Sequence, residues 1–443
     1  MKLKTGQTIR VGFAFLSICA FWQMYNSVIP LMLTNTFHMN ETISGVIMAM
    51  DNILALFLLP LFGGISDRCT SRLGKRKPFI LIGTLFAAGL MLLIPVLDNS
   101  YFRSPRTSLT IMFVAILGLL LVAMGTYRSP AVALMPDVTP KPLRSKANAI
   151  INLMGALGGI IYLLITTVLY SEKRTAGMEH VNYAPLFLIV AGIMLAGMLI
   201  VMLTVNEVKL NKEMTEYEAL HPEENLVVED ESGKQKLPAD VRRSLSFLLI
   251  SIALWFIAYN GIETWFTTYA SRMWNMSLGS ASLCLTIATV GAIISYIPAG
   301  SIAGRIGRKK TIYSGIIMMF TAFFAGFVYT GISDHFHPVL YVLFVLIGAG
   351  WGCINVNSLP MVVEMCKGSD IGRFTGLYYT FSMSAQIVTP IAAGWLMNHI
   401  SYTTLFPYGA IFMALAFLTM HLVKHGDSKE ITKKGLEAFD VDD

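Results

Sequence analysis

The chain has 443 residues, of which 55% are hydrophobic and only 14% are charged. An ordinary soluble domain is about 25% charged, so this composition excludes a typical soluble protein and indicates a membrane protein. The formal net charge of +6 does not call for a nucleic-acid partner, because basic residues between apolar segments also serve to orient a membrane protein.

Apolar runs of about 20 residues can each cross the hydrocarbon layer as a helix that satisfies its own backbone hydrogen bonds. Twelve such runs are present, at 11–33, 43–64, 79–97, 109–135, 147–169, 183–204, 244–270, 278–300, 311–331, 338–365, 374–398 and 402–423. The first follows a short polar segment, MKLKTGQTIR, without a small-residue cleavage site, and we expect it to be an uncleaved anchor. The sequence therefore predicts an all-α membrane protein with twelve transmembrane helices.

Most of the 33 Lys and Arg residues fall in segments that share one side of the membrane if both chain ends are on that side. Because basic loops stay in the cytoplasm, this bias predicts an N-in and C-in, multi-pass topology. A bacterial source would place the protein in the cytoplasmic membrane. The five cysteines show no paired metal spacing, and we expect neither a metal site nor a cofactor.

The polar segment 205–243 divides the spans six and six, and its length and charge are typical of a mobile cytoplasmic linker. We predict a bundle at 1–204, this linker, a bundle at 244–424 and a cytoplasmic tail at 425–443. "ICAFWQMYNSVIP" (18–30) aligns with "IALWFIAYNGIET" (252–264), and the basic run "LGKRK" (73–77) aligns with "IGRKK" (306–310). The two halves are therefore predicted to be tandem repeats, which matches the major facilitator fold with two pseudo-symmetric six-helix bundles.

Three motifs carry a more specific resemblance. "GGISDRCTSRLGKRKPFI" (63–80) resembles the loop between the second and third spans of sucrose-proton symporters and, more distantly, of glycoside-pentoside-hexuronide cation symporters. "YRSPAVALMPD" (127–137) and "NSLPMVVEM" (357–365) resemble segments of bacterial members of the sucrose-symporter-like branch. The resemblance implies a transporter, and the sequence has no nucleophile–base set or phosphate-binding glycine loop that would indicate an enzyme. The charged residues of the loop at 63–78 predict a cytoplasmic gate. We predict gate residues at Asp67, Arg68, Arg72, Arg305 and Glu364, with Asp67 pairing with Arg68, Arg72 or a helix end.

Ionisable residues inside spans are costly and are functional candidates by default. Asp51 on the second span is predicted to carry the proton, with Arg128 as its counter-charge or as a donor to sugar hydroxyls, and Glu263 as a sugar ligand or second proton site. The alternative is that Asp51 makes a hydrogen bond to Asn52 or to a neighbouring helix that serves packing alone. The acidic cation-binding positions of melibiose-type permeases fall on Ala55 and Leu59, so the resemblance favours a proton over sodium.

A neutral sugar is held by hydroxyl hydrogen bonds and by stacking on aromatic rings. Polar and aromatic side chains at bilayer depth are therefore predicted to bind it, although amides in spans can equally join helices. The predicted substrate-binding set is Trp22, Gln23, Tyr25, Asn26, Asn52, Tyr127, Arg128, Asn152, Trp255, Tyr259, Asn260, Asn355, Asn357, Tyr378 and Gln386.

The predicted function is a proton-coupled symporter of a disaccharide or other glycoside that works by alternating access. The alternatives are a sodium-coupled glycoside symporter, an exporter of amphipathic molecules and a non-transporting sensor on the same fold. The expected partners are the lipid bilayer and a small neutral sugar, without nucleic acid, and we expect a monomer to be the functional unit.

Overall fold

The computed structural model of the protein describes residues 4–139, 144–220, 238–365 and 371–427. These residues form helices and no strands. The twelve long helices are α1 (Thr5–Leu31), α2 (Glu41–Asp67), α3 (Lys77–Arg103), α4 (Thr107–Asp137), α5 (Arg144–Leu169), α6 (Ala184–Thr204), α7 (Ala239–Met273), α8 (Leu278–Ile306), α9 (Arg308–Thr330), α10 (Tyr341–Glu364), α11 (Ile371–His399) and α12 (Leu405–His421). α1 continues as a π-helical turn, Met32–Thr36, and short helices occupy Glu172–Thr175, Glu207–Leu220, Pro338–Leu340 and Tyr402–Thr404.

The predicted spans all fall on these long helices, which confirms the all-α fold of an integral, multi-pass membrane protein. Among the described residues, eleven helices are long and apolar enough to cross a membrane. α11 is the exception. It covers the predicted span 374–398, but its Ser, Thr, Tyr and Gln side chains make it more polar than the others.

Contacts divide the chain into two compact units. Unit 1 contains Met1–Asn225 with Ser277–Ser282, and unit 2 contains Leu226–Met276 with Leu283–Asp443. In unit 1, α1 packs against α5 and α6, and α3 packs against α4 and α6. In unit 2, α7 packs against α11 and α12, and α9 packs against α10 and α12. The first and third helices of each six-helix set thus have equivalent partners, as tandem repeats predict.

Close helix packing depends on glycines at particular crossings. Gly158 of α5 faces the carbonyl of Leu16 in α1, and Gly348 of α10 faces the carbonyl of Ala288 in α8. A Cβ atom at either glycine would overlap the neighbouring backbone. The two helix pairs can therefore approach closely only because these positions have no side chain.

The predicted linker 205–243 contains more regular structure than its composition indicates. The helix Glu207–Leu220 begins almost directly after α6, and α7 begins at Ala239 rather than near 244. Residues 221–237, and residues 428–443 of the predicted tail, lie outside the described residues.

Candidate functional site

Asp51 is half-buried in the middle of α2. One carboxylate oxygen accepts hydrogen bonds from the backbone N–H of Asn52 at 2.6 Å and from the Asn52 side-chain amide at 2.9 Å. The carboxylate also interacts electrostatically with Arg128 of α4 and lies close to the hydroxyl of Tyr25 in α1. The Asn52 bond considered as an alternative is present, but the packing of three helices also brings a cation to this acid.

Arg128 rests on an aromatic cluster of α1. Its guanidinium carbon lies 5.6 Å from the ring centroid of Trp22, within the range of a cation–π contact. The Trp22 ring in turn meets Phe21 at 5.1 Å and Tyr25 at 5.5 Å, edge to face in both cases. The Trp22 indole N–H and the Tyr25 hydroxyl are buried and have no hydrogen-bond partner among the described residues. Both polar groups therefore retain the capacity to bind a ligand hydroxyl beside Asp51 and Arg128.

The other predicted residues of unit 1 differ in their surroundings. Tyr127 is fully buried, and its hydroxyl lies 2.5 Å from the Ser17 hydroxyl and donates to the Ala14 carbonyl at 3.1 Å. These bonds join α4 to α1, so the position of Tyr127 favours packing. The amides of Gln23, Asn26 and Asn152 are half-buried on α1 and α5.

Unit 2 contains a second aromatic cluster. The rings of Tyr259 and Trp351 stack at 4.0 Å with an angle of 6° between their planes, and Phe256 meets Trp351 edge to face at 5.1 Å. Tyr378 of α11 lies beside Phe256, with 6.3 Å between their rings, and its hydroxyl is 3.1 Å from that of Ser358. Phe256 is missing from the predicted set, although the repeat alignment pairs it with Trp22.

Two of the remaining predicted residues of unit 2 use their amides for hydrogen bonds within their own helices. The side-chain amide of Asn260 donates to the Phe256 carbonyl, and that of Asn357 donates to the Cys353 carbonyl, each at 2.8 Å within its own helix. Trp255 is fully buried. The buried Asn355 and the half-buried Glu263 and Gln386 complete this set.

Arg76 is the centre of the first cytoplasmic cluster, which consists of Asp67, Arg76, Asp137 and Glu207. Its guanidinium binds Asp137 of α4 through Nε at 2.7 Å and pairs with Asp67 at the end of α2. Burial alone would lower the pKa of Arg76, but its hydrogen bonds and charge interactions with Asp137 and Asp67 raise that pKa above its usual value. A guanidinium suits this position because its planar fork serves several acceptors at once.

Glu207 fixes the backbone that carries Arg76. Its fully buried carboxylate accepts N–H groups from Lys75 at 2.6 Å, from Arg76 at 2.9 Å and from Lys77 at 3.1 Å. These donors have no partner within the first turn of α3, and a carboxylate also complements the positive end of the helix dipole. Lys77 then binds back to the end of α6, through the Met202 and Val205 carbonyls at 2.9 and 2.8 Å.

The second cytoplasmic cluster consists of Arg308, Lys309, Glu364 and Asp427 in unit 2. Arg308 pairs with Glu364 at the end of α10. Asp427 accepts the backbone N–H of Lys309 at 2.8 Å, and the Lys309 ammonium donates to the carbonyls of His421, the last residue of α12, and of Val423 just beyond it. Arg76, Asp137 and Glu207 of the first cluster thus correspond to Arg308, Glu364 and Asp427, whereas Asp67 aligns with Gly304 and has no counterpart in the second cluster.

The structure corrects the predicted gate in two respects. Asp67 pairs with Arg76, not with Arg68 or Arg72, because Arg68 and Arg72 are exposed while Arg76 faces the last turn of α2. Arg305 is also exposed, and the buried guanidinium of unit 2 belongs to Arg308. Glu364, also predicted as a gate residue, belongs to the second cluster through its ion pair with Arg308.

The structure shifts the alignment of the two basic runs by one residue after their shared glycine. In each run this glycine has a positive φ, 112° at Gly74 and 99° at Gly307. Arg76 corresponds to Arg308 and Lys77 to Lys309, so Lys75 is an extra residue in unit 1. Sequence reasoning missed Glu207 and Asp427 because each follows the sixth helix of its repeat, far along the chain from the basic run. The sequence did contain one indication of this role, an acidic residue shortly after the sixth helix of each repeat.

A groove of about 710 Å³ between α11 and α12 is lined almost entirely by apolar side chains, including Trp395, Tyr408 and Ile411. It contains none of the predicted site residues.

A family model described as the Major Facilitator Superfamily matches residues 11–274 and 270–440. The chain belongs to this superfamily. The family and its transporter relatives point to a transporter rather than an enzyme, as predicted.

The chain is also similar, over part of its length, to three curated proteins. The chain is 30% identical to the sucrose transport protein SUC3 of Arabidopsis thaliana over 138 residues, 28% of this chain and 23% of that protein. It is 34% identical to SUT3 of Oryza sativa subsp. indica over 121 residues, 25% of this chain and 24% of that protein. An uncharacterized protein of Bacillus subtilis, YqgE, is 26% identical over 194 residues, 43% of this chain and 44% of that protein. The matched segments span about a quarter of the two sucrose transport proteins.

Solved structures support the fold over nearly the whole chain. The inward-open xylose transporter XylE from E. coli gives a TM-score of 0.70 at 13% identity, covering 96% of this chain and 97% of that one. A bacterial homologue of the iron transporter ferroportin in an inward-facing state also gives 0.70 at 13% identity, covering 95% and 99%. At this identity the similarity shows the fold alone.

Proposed function

We propose that this member of the superfamily is a secondary active transporter that carries a neutral sugar, a disaccharide or other glycoside, together with a proton. The partial matches to sucrose transport proteins support the substrate class. The observation that carries the proposal is the group formed by Asp51, Arg128 and the Trp22 ring.

Proton coupling follows from the competition for Arg128. While Arg128 faces Asp51, its positive charge stabilises the ionised carboxylate. A sugar hydroxyl that draws the guanidinium away removes this stabilisation, and the carboxylate then binds a proton. Sugar and proton would therefore bind together, as symport requires, and in the returning empty carrier Arg128 would again face the ionised Asp51.

The sugar would be recognised by hydrogen bonds and by rings. In unit 1, the Trp22 indole N–H and the Tyr25 hydroxyl are donors beside Arg128. Unit 2, taken by itself, contains a second candidate sugar contact, the apolar face of the stacked Tyr259 and Trp351 rings.

The test is uptake of labelled sucrose, with labelled maltose and melibiose in parallel, by proteoliposomes under an imposed pH gradient. We expect accumulation that a protonophore abolishes and that sodium does not change. Accumulation driven by sodium and indifferent to the pH gradient would overturn the choice of ion. Failure of all glycosides to enter would overturn the substrate class and leave an exporter or a sensor.

Asp51→Asn tests the assigned residue. We expect it to lose accumulation while it retains exchange of labelled for unlabelled sugar, because the amide keeps the shape of the acid but cannot carry the proton. Asp334→Asn, at an exposed acid in another loop, is the matched control and should transport normally. Normal accumulation by Asp51→Asn would show that Asp51 serves packing.

A further inference from the structure

A second buried acid lies at the other end of α3 from Arg76, the end that the loop charges place outside. The Asp98 side chain has no exposed surface. Among the described residues, no donor makes a hydrogen bond to either of its carboxylate oxygens. The Thr36 hydroxyl of the π-helical turn lies beside it. Its ionic partner is His180, whose Nε2 lies 3.3 Å from the Asp98 Oδ2 atom.

His180 belongs to the outer segment, residues 170–183, which connects α5 to α6. The His180 side chain is 12% exposed, and its Nε2 also lies 2.9 Å from the Asn99 side-chain oxygen. Its ring stacks on Phe102 with 4.4 Å between centroids. The Asn99 amide donates to Asn182 at 2.9 Å. The outer segment is therefore fixed to α3 through the neighbourhood of Asp98.

The charge state of this pair is restricted by burial. An ionised carboxylate without a cation or hydrogen bonds is costly in an apolar interior. Burial also lowers the pKa of His180, which favours its neutral ring. A closed arrangement that holds one proton in total, on either member, avoids an uncompensated charge.

Other titratable groups near the pair do not change this conclusion. Tyr183 interacts electrostatically with Asp98, and also with Tyr170 and Tyr162. Burial raises the pKa of Tyr170 to about 12 and raises that of Tyr183, so both stay neutral near neutral pH. The charged residues closest in sequence are exposed and make no described ion pair with Asp98 or His180: Arg103, Arg106 and Glu179.

We propose that Asp98 and His180 form a proton-binding site, separate from Asp51, that holds the outer segment closed against α3 when it contains one proton. The site does not depend on which substrate the protein carries. It makes the stability of the outer segment a function of the external pH.

The sign follows from counting protons. With the segment open, His180 titrates near its ordinary value of about 6.5 and Asp98 near about 3.9. Between those values the open state also binds one proton, and closing does not depend on pH. Above about pH 6.5 the open state binds none, so closing takes up a proton and becomes up to about tenfold less favourable per pH unit.

Hydrogen exchange of the full-length protein in lipid nanodiscs, followed by mass spectrometry of peptides from 170–183, measures this directly. After correction for intrinsic exchange, we expect wild-type protection to be constant from about pH 5 to 6.5 and to fall at least about tenfold by pH 8.5. In Asp98→Asn no proton is needed for closure, and the neutral His180 ring is preferred. Protection should therefore decrease on acidification below about pH 6.5 and stay constant above it, the opposite trend.

His180→Gln provides a second test if the first variant does not fold. Without the histidine, the open state loses its proton near about pH 4, so the constant range between pH 5 and 6.5 should disappear. Asp334→Asn removes the acid of an exposed pair with His335 and should reproduce the wild-type profile. Wild-type protection that does not change with pH, or the same profile in both Asp98→Asn and His180→Gln, would overturn the proposal.

Discussion

The two units use the same arrangement at their cytoplasmic ends and different chemistry in their interiors. In each unit, a buried arginine binds an acid at the end of the fourth helix of the repeat, Asp137 for Arg76 and Glu364 for Arg308. A lysine next to it donates to a carbonyl just beyond the sixth helix, Lys77 to Val205 and Lys309 to Val423. The shared arrangement ties three helices of one unit together at the same level.

The interiors differ in where charge is placed. Unit 1 brings Asp51 and Arg128 together at Trp22, whereas the corresponding cluster of unit 2 is the Tyr259–Trp351 stack with Phe256 and Tyr378. Tandem repeats thus keep the contacts that hold the helix ends, while the interior positions can separate ion binding from ring stacking. The comparison assigns coupling to unit 1 and ring contacts to unit 2, which mutations can test separately.

The largest stability effect is expected at the arginines. Arg76→Gln removes a guanidinium that is 7% exposed, and its partners Asp137 and Asp67 are 31% and 60% exposed and can be hydrated without it. We therefore expect a loss of about 3 kcal/mol, the upper range for hydrogen bonds to charged groups. Arg308→Gln, at a side chain that is 4% exposed, should cost a similar amount. Thermal unfolding in detergent measures both.

The matched controls are Arg72→Gln and Arg305→Gln, which alter exposed arginines of the same loops. Each should change stability by less than about 0.5 kcal/mol. Equal losses at the exposed and buried positions would mean that the total basic charge, rather than the two clusters, stabilises these ends.

A smaller and unequal effect is expected for the two acids that accept N–H groups. Glu207→Ala leaves the N–H groups of Lys75, Arg76 and Lys77, the last two of them buried, without their acceptor and should cost about 2 kcal/mol or more. Asp427 is exposed and accepts the N–H of Lys309, so Asp427→Ala should cost about 0.5 to 1 kcal/mol. Thermal unfolding in detergent measures both losses. A larger loss for Asp427→Ala than for Glu207→Ala would contradict the stronger role assigned to the buried acid.

The smallest effect is expected at the rings. Tyr259→Leu removes the partner stacked on Trp351 and should raise the KM for sugar by about 2- to 10-fold, since an aromatic contact contributes about 0.5 to 1.5 kcal/mol. Its accumulation ratio should not change. Trp22→Leu, in contrast, also removes the ring beneath Arg128 and should lower the accumulation ratio. Initial rates over a range of sugar concentrations, with steady-state uptake, separate the two effects.

Hydropathy predicted the helices, because a span must be apolar along its whole length. The alignment of motifs at 18–30 and 252–264, with the linker between the sixth and seventh spans, predicted the repeats. Hydropathy also predicted that Asp51 and Arg128 matter, since charges within spans are rare. The polar character of α11 was visible in the sequence as well, and it did not prevent the helix from being recognised.

Partners that are distant along the chain were decided by the tertiary structure. Nothing local in the sequence indicates that Glu207 binds the start of α3, that Asp67 faces Arg76 instead of its neighbour Arg68, or that Asp98 meets His180. One extra residue, Lys75, was enough to shift the match between the basic runs. The sequence determined which segments enter the membrane because that depends on the composition of each segment, whereas the pairing of charges depends on which helix ends the packing brings together.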